Sequence, residues 1–128
     1  MAVKVVDASA LGALLFGEPE REAVADRLAD AELVAPPLLD FEIANICLKK
    51  LRRHPARRDA LLAAFGLRSR MAIETAEVDH AASLLLAEQS GLTAYDASYL
   101  WLAQKYRAEL VTLDRHLGAA AASARNNV

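Results

Sequence analysis

Val3-Lys4-Val5-Val6-Asp7-Ala8-Ser9-Ala10-Leu11 is the stretch that decides the fold. Val3, Val5 and Val6 are β-branched and suit a packed, pleated strand, whereas Ala8 to Phe16 is a helix-forming apolar run broken by one glycine. The chain therefore passes from a buried strand straight into a helix, with Asp7 at the junction. Ligands of open α/β sheets bind in the crevice beyond the carboxyl ends of the strands, so an acid there faces functional space. Asp7 or Ser9 could equally just cap the helix by accepting from its free N–H groups. On this stretch alone the two readings stand level.

Working outward, Pro19 marks a helix start, and Glu20 to Ala31 carries Ala23, Val24, Leu28 and Ala31 at helical spacing. Asp30 to Pro37 reads as a short second strand around Leu33-Val34-Ala35, ended by Pro36-Pro37. A long helix from about Leu38 to Arg53 has Ile43, Ala44, Cys47, Leu48 and Leu51 as its apolar side, with Glu42, Asn45, Lys49 and Arg53 opposite. Ala56 to Leu67 gives another helix, Met71 to Thr75 a short strand, and Val78 to Gln89 a helix closed by Gly91. The helix from about Ala94 to Arg107 is followed by a strand, Glu109 to Asp114, that again ends on an aspartate. Strands alternating with helices imply a parallel sheet with helices on both faces.

The chain has 128 residues, which suits one domain, 1–128, with a single core. Its 55% hydrophobic and 25% charged residues exclude a disordered or collagen-like chain. With no leader pattern and no apolar run near 18 residues, a soluble, cytoplasmic protein without a membrane span is expected. Cys47 is the only cysteine, which excludes an internal disulfide or a thiolate metal cluster and suits a small buried hydrophobe. The net charge of −2 hides a block from Lys49 to Arg70 holding eight of the fifteen basic residues against the single acid Asp59. Such a block can neutralise phosphates without a basic overall charge; a solvated helix surface explains it equally well.

Four acids carry the chemistry. Asp96 shares a helix face with Tyr99, Leu100 and Ala103, and a carboxylate on an apolar side needs a cation, a metal or several donors. Asp114 repeats the position of Asp7 over the same sheet edge. If Glu42 also enters that crevice, two carboxylates about 5 Å apart would repel by roughly 3 kcal/mol at an effective dielectric near 20. A hard cation with oxygen ligands, Mg²⁺ or Mn²⁺, answers that repulsion. Asn45 and Lys49 share Glu42's side, and Ser9 could orient Asp7. Asp40 lies in a first helical turn, where a cap or dipole role suffices. His54, His80 and His116 lack ligand-like spacing and read as surface residues.

V-V-D-A-S-A-L, D-F-E-I-A-N-I, L-T-A-Y-D-A-S-Y-L and L-V-T-L-D, in that order within a match from Val3 to Asp114, resemble the four signatures of PIN-domain proteins, specifically VapC-type toxins. The resemblance implies a PIN-like three-layer α/β/α fold with a central, mainly parallel sheet of about four to five strands. It implies an acidic metal site of Asp7, Glu42, Asp96 and Asp114, supported by Ser9, Asn45 and Thr93. It also implies a Mg²⁺- or Mn²⁺-dependent ribonuclease leaving 5′-phosphate and 3′-hydroxyl ends, usually a homodimer, inhibited by a cognate VapB antitoxin. One departure is the run A-A-A-A-S-A-R-N-N-V, where family members commonly carry a last strand.

The expected function is thus metal-dependent endoribonuclease, the toxin of a toxin-antitoxin pair. Lys49, Arg52, Arg53, Arg57 and Arg58 are the expected RNA-backbone contacts. Trp101 falls with Ser98 and Lys105 on the outward side of its helix and is expected at a homodimer or antitoxin interface. The competing classes are a non-catalytic PIN-like RNA-binding protein and a phospho-accepting receiver module. The receiver would need an adjacent acidic pair after its first strand and a lysine after a late one, where this chain has Asp7 alone and Asp114.

Overall fold

The structure is a computed structural model and describes residues 1–126. Four strands, β1 (Val3–Val6), β2 (Glu32–Ala35), β3 (Ile73–Thr75) and β4 (Glu109–Val111), form one sheet in the order β3-β2-β1-β4. Every neighbouring pair is parallel, with Val5 opposite both Val34 and Leu110. The helices are α1 (Ala8–Phe16), α2 (Arg21–Leu28), α3 (Leu38–Arg53), α4 (Arg58–Gly66), α5 (His80–Ser90), α6 (Ala94–Tyr106) and α7 (Arg115–Asn126). The chain steps from β1 to β2 to β3 in one direction and then crosses back to β4. Right-handed crossovers therefore place α1 to α4 on one face and α5 and α6 on the other. The contacts agree: α1 packs with α2, α3 and α4, while α6 packs on β1 and against α5 and α7. The result is an α/β/α sandwich whose strand order reverses between β1 and β4, and that reversal opens a crevice at their carboxyl ends.

Val5, Val6, Leu11, Ile43, Leu102 and Val111 are fully buried between the layers. α6 is the central helix: Ala97, Ser98, Tyr99, Leu100, Leu102 and Ala103 are all buried, so it has almost no polar face except at its ends. This corrects the expectation for Trp101, which is half-buried and packed on the core rather than presented to solvent. Ser98 beside it is buried, and Lys105 lies over the indole ring at 5.2 Å. One apolar side with an outward face belongs to a surface helix, whereas a helix squeezed between the sheet and two other helices is buried nearly all round.

Other boundaries also shift. The expected helix at Ala56–Leu67 is shortened to α4, flanked by 3₁₀ turns at Pro55–Arg57 and Leu67–Arg70. On α3 the buried positions are Leu39, Ile43 and Cys47, whereas Ala44 and Leu48 are exposed. The stripe facing the core is therefore rotated from the expected one, which brings Glu42 to its half-buried margin. β4 stops at Val111, so Asp114 lies past the strand rather than in it. Of the four to five expected strands four form. A strand beyond Asn126 would lie outside the described residues.

Candidate active site

Asp7 follows the last residue of β1 and caps α1, so the cap reading holds, at the strand-end position that a ligand-facing acid would also take. Its backbone N–H donates to the Val111 carbonyl at 3.2 Å, which fixes the junction against β4. The residue is 5% exposed. Oδ1 accepts from the Ala10 N–H (3.0 Å) and the Ser9 hydroxyl (2.8 Å), and Oδ2 accepts from the Thr112 hydroxyl at 2.5 Å. Ser9 Oγ in turn accepts from the Leu113 N–H at 2.9 Å, and Thr112 Oγ1 accepts from the Asp114 N–H at 3.0 Å. Two hydroxyls thus tie Asp7 to the loop that carries Asp114. Thr112, buried in the run L-V-T-L-D, was not among the expected supporting residues. Its signal was a polar side chain two positions before an acid in an otherwise apolar strand.

Glu42 stands one turn into α3, half-buried, and accepts from the Tyr99 hydroxyl at 2.5 Å. Tyr99 is 1% exposed and spans from α6 to α3; its place on the apolar face of α6 gave no sign of a bond to Glu42. Asp96 sits half-buried in the first turn of α6, three residues after Tyr95's predecessor-but-one, Thr93, whose hydroxyl accepts from the Asp96 N–H at 3.1 Å. Thr93 therefore serves as the α6 cap and fixes the backbone of Asp96, not its carboxylate. Asp114 is exposed and caps α7, accepting from the Leu117 N–H at 2.9 Å. Asn45 is exposed one turn beyond Glu42, and no hydrogen bond of its side chain is found among the described residues.

These carboxylates feel one another. Burial pushes the Asp7 carboxyl above its ordinary range; its bonds from Thr112, Ala10 and Ser9 pull it back in part, and Asp96 adds to the rise. Glu42 is raised by burial, eased by Tyr99, and raised again by Asp96 and Asp7. Asp96 is raised by burial and by Asp114, against a smaller lowering by His116. Burial and the Glu42 carboxylate push the Tyr99 phenol far above its usual range, so it stays a donor. None of the four acids takes part in the ion pairs found among the described residues. Nor, among those residues, do any three His, Cys, Asp or Glu side chains stand close enough together, as placed, to hold a metal ion. Asp7, Glu42 and Asp96 repel one another and Asp114 repels Asp96; carboxylates in such mutual repulsion, without a paired lysine or arginine, are the oxygen donors that a hard divalent cation takes.

The histidines are exposed as expected, but His116 is not remote: its ring lies 2.9 Å from the Gly91 carbonyl and within the field of Asp96. Lys49, Arg52, Arg53, Arg57 and Arg58 are all exposed at the α3–α4 corner, and none is in an ion pair found among the described residues. Lys50 instead pairs with Glu18, and Arg68 with Asp40 at 2.9 Å. Cys47 is buried, its thiol 3.8 Å from the Leu61 carbonyl.

The PIN-domain family model matches residues 4–123. Ribonuclease VapC3 of Pyrobaculum aerophilum is 37% identical over 125 residues, covering 88% of this chain and 90% of that protein. Ribonuclease VapC9 of Mycobacterium tuberculosis is 40% identical over 118 residues, covering 88% and 87%. Among solved structures, PAE2754 from Pyrobaculum aerophilum superposes with a TM-score of 0.75 at 29% identity, covering 93% of this chain and 84% of that one. The sarcin-ricin loop cleaving toxin VapC20 of Mycobacterium tuberculosis has the same fold, with a TM-score of 0.65 at 17% identity over 91% and 94%.

Proposed function

This chain belongs to the PIN-domain family, as the match over residues 4–123 and the VapC relatives show, and from that premise we propose that it is a metal-dependent endoribonuclease. The observation that carries this reading is the coupled set of carboxylates at the strand-order reversal, with no lysine or arginine paired to any of them. Asp7, Glu42, Asp96 and Asp114 would hold Mg²⁺ or Mn²⁺. When bound, such an ion lowers the pKa of a coordinated water and stabilises charge developing on a phosphodiester under in-line attack.

The chain's own residues supply the orientation. Ser9, Thr112 and the Ala10 N–H hold both Asp7 oxygens, and Tyr99 holds one oxygen of Glu42. Those carboxylates reach the substrate already aimed, which is what outer hydrogen bonds contribute to metal sites. Asp96, less buried, is free to adjust, while Asp114 is held only by its cap bond from the Leu117 N–H. Hydrolysis would leave a 5′-phosphate and a 3′-hydroxyl.

The same reading makes the protein the toxin of a toxin-antitoxin pair, acting in the cytoplasm, held inactive by a VapB-type antitoxin and assembling as a homodimer. Its relatives' names support the toxin role, and among the described residues no helix is long and apolar enough to cross a membrane. Trp101, half-buried on the core, has only part of its ring to offer a dimer interface. Phe41 on α3 and Leu84 and Leu85 on α5, 77%, 62% and 58% exposed, are among the large apolar side chains a monomer would leave in water.

Mn²⁺ calorimetry on wild type and Asp96→Asn, paired with cleavage of total cellular RNA, tests the proposal. Binding and cleavage in the wild type, both lost in the variant and cleavage stopped by chelator, are the expected results. A folded wild type that neither binds Mn²⁺ nor cuts RNA would leave a non-catalytic RNA-binding protein.

A further inference from the structure

A cavity of about 330 Å³ opens beside the carboxylates, between the turn that follows β2, the segment that enters α5 and the first turn of α6. It lies over the same carboxyl ends of the strands as the acidic site, and Tyr95 on its wall immediately precedes Asp96. Pro36, Pro37 and Val78 make its walls apolar, and the Tyr95 ring, 64% exposed, stands at its side. Ser83 lines it too. This serine is 4% exposed, and its hydroxyl has no hydrogen-bond partner among the described residues. A buried hydroxyl with nothing to bond is costly unless something else enters to bond it.

A cavity at the small end of the ligand range of roughly 300–1,000 Å³, apolar, with one free hydroxyl and an accessible aromatic ring, fits a flat heteroaromatic ligand. A phosphate fits poorly: no lysine or arginine lines the cavity, His80 is the one basic side chain on its wall, and the Glu77 carboxylate beside it would repel an anion. Unstacked RNA bases are held in just such places, stacked on an aromatic ring and hydrogen-bonded along their edges.

We propose that this cavity seats a nucleobase of the RNA, that of a nucleotide adjoining the phosphate bound at the carboxylates, stacked on Tyr95 and hydrogen-bonded by Ser83. The proposal rests on the nuclease reading for the identity of its ligand and makes the cavity a determinant of cleavage sequence. Because Glu77 can only accept, bases with an exocyclic amino group are favoured over uracil.

The test is an NMR titration of the metal-free protein with the four nucleoside 5′-monophosphates and with ribose 5-phosphate, all in chelator. Adenine, cytosine or guanine nucleotides are expected to shift the amides of Val78, Ser83 and Tyr95 more than the uracil nucleotide does, and ribose 5-phosphate is expected to leave them in place. Ser83→Leu, which fills the cavity, should abolish the shifts, and Tyr95→Ala, at an exposed position, should weaken binding roughly tenfold. Equal shifts with ribose 5-phosphate, or unchanged binding in both variants, would overturn the proposal and leave Ser83 to a buried water. Cleavage of a randomised RNA then separates the two readings. Loss in Tyr95→Ala of a preference the wild type shows at one flanking position supports the pocket, and an unchanged preference overturns it. Base binding by a wild type that cleaves nothing would uphold the pocket and remove the nuclease.

Discussion

At the scale of single residues, Asp96 carries opposite demands of folding and function. Folded Asp7, Glu42 and Asp96 hold protons more tightly than unfolded carboxyls do, because burial and neighbouring acids raise all three. The folded state therefore binds more protons in that window, and the metal-free protein loses stability as pH rises from the ordinary carboxylate range through the raised values. Asp96→Asn removes one of the repelling charges. In chelator at pH 7 it should melt higher than wild type by a few degrees, with the advantage shrinking as pH falls and Mn²⁺ binding lost throughout. A variant that melts lower at pH 7 would show the acids are not in conflict. Tyr99→Phe asks a narrower question. It keeps the ring in the core and deletes only the donor to Glu42, so metal affinity or turnover should fall about 10- to 100-fold. Calorimetry and a cleavage assay, with an unchanged circular dichroism spectrum, would establish that.

Single elements show what the sequence could and could not disclose. The turn before α6 was legible: Gly91 ends α5 at φ 67°, and Thr93 then caps α6 and sets Asp96 in its first turn. An alanine in that left-handed conformation costs about 1–2 kcal/mol, so Gly91→Ala should lower the urea midpoint accordingly and move Asp96 with it; wild-type stability would refute this. Strands marked by β-branched runs and helices marked by glycine and proline were readable because those signals are local. The burial of Trp101 was not, because it depends on α5 and α7 enclosing α6, and no periodicity within α6 records its neighbours. The same limit applies at α3, where α1 and α4 pack against Leu39, Ile43 and Cys47 and leave Ala44 and Leu48 exposed. For the site, the four acids could be singled out by position and resemblance, whereas Thr112 and Tyr99 could not. Their role lies in partners 105 and 57 residues distant.

At the scale of the whole molecule, an acidic crevice must draw in a polyanion on a chain whose net charge is −2. The exposed cations at the end of α3 and start of α4 offer a way. At 1.5 Å per residue, Lys49 lies about 10 Å and Arg53 about 16 Å along the helix from Glu42, so a strand crossing the carboxylates can continue onto that corner. Five single-strand phosphate contacts from Lys49, Arg52, Arg53, Arg57 and Arg58 would make log K fall with log salt at a slope near −3.5. Reversing two of them, Arg57→Glu with Arg58→Glu, should flatten that slope by about 1.4 and leave Mn²⁺ binding intact, since neither residue adjoins an acid of the site. Fluorescence anisotropy of a labelled RNA in chelator measures both slopes without cleavage. A flat wild-type dependence, or an unaltered slope in the double variant, would mean that the corner is only a solvated surface and that the crevice itself holds the RNA.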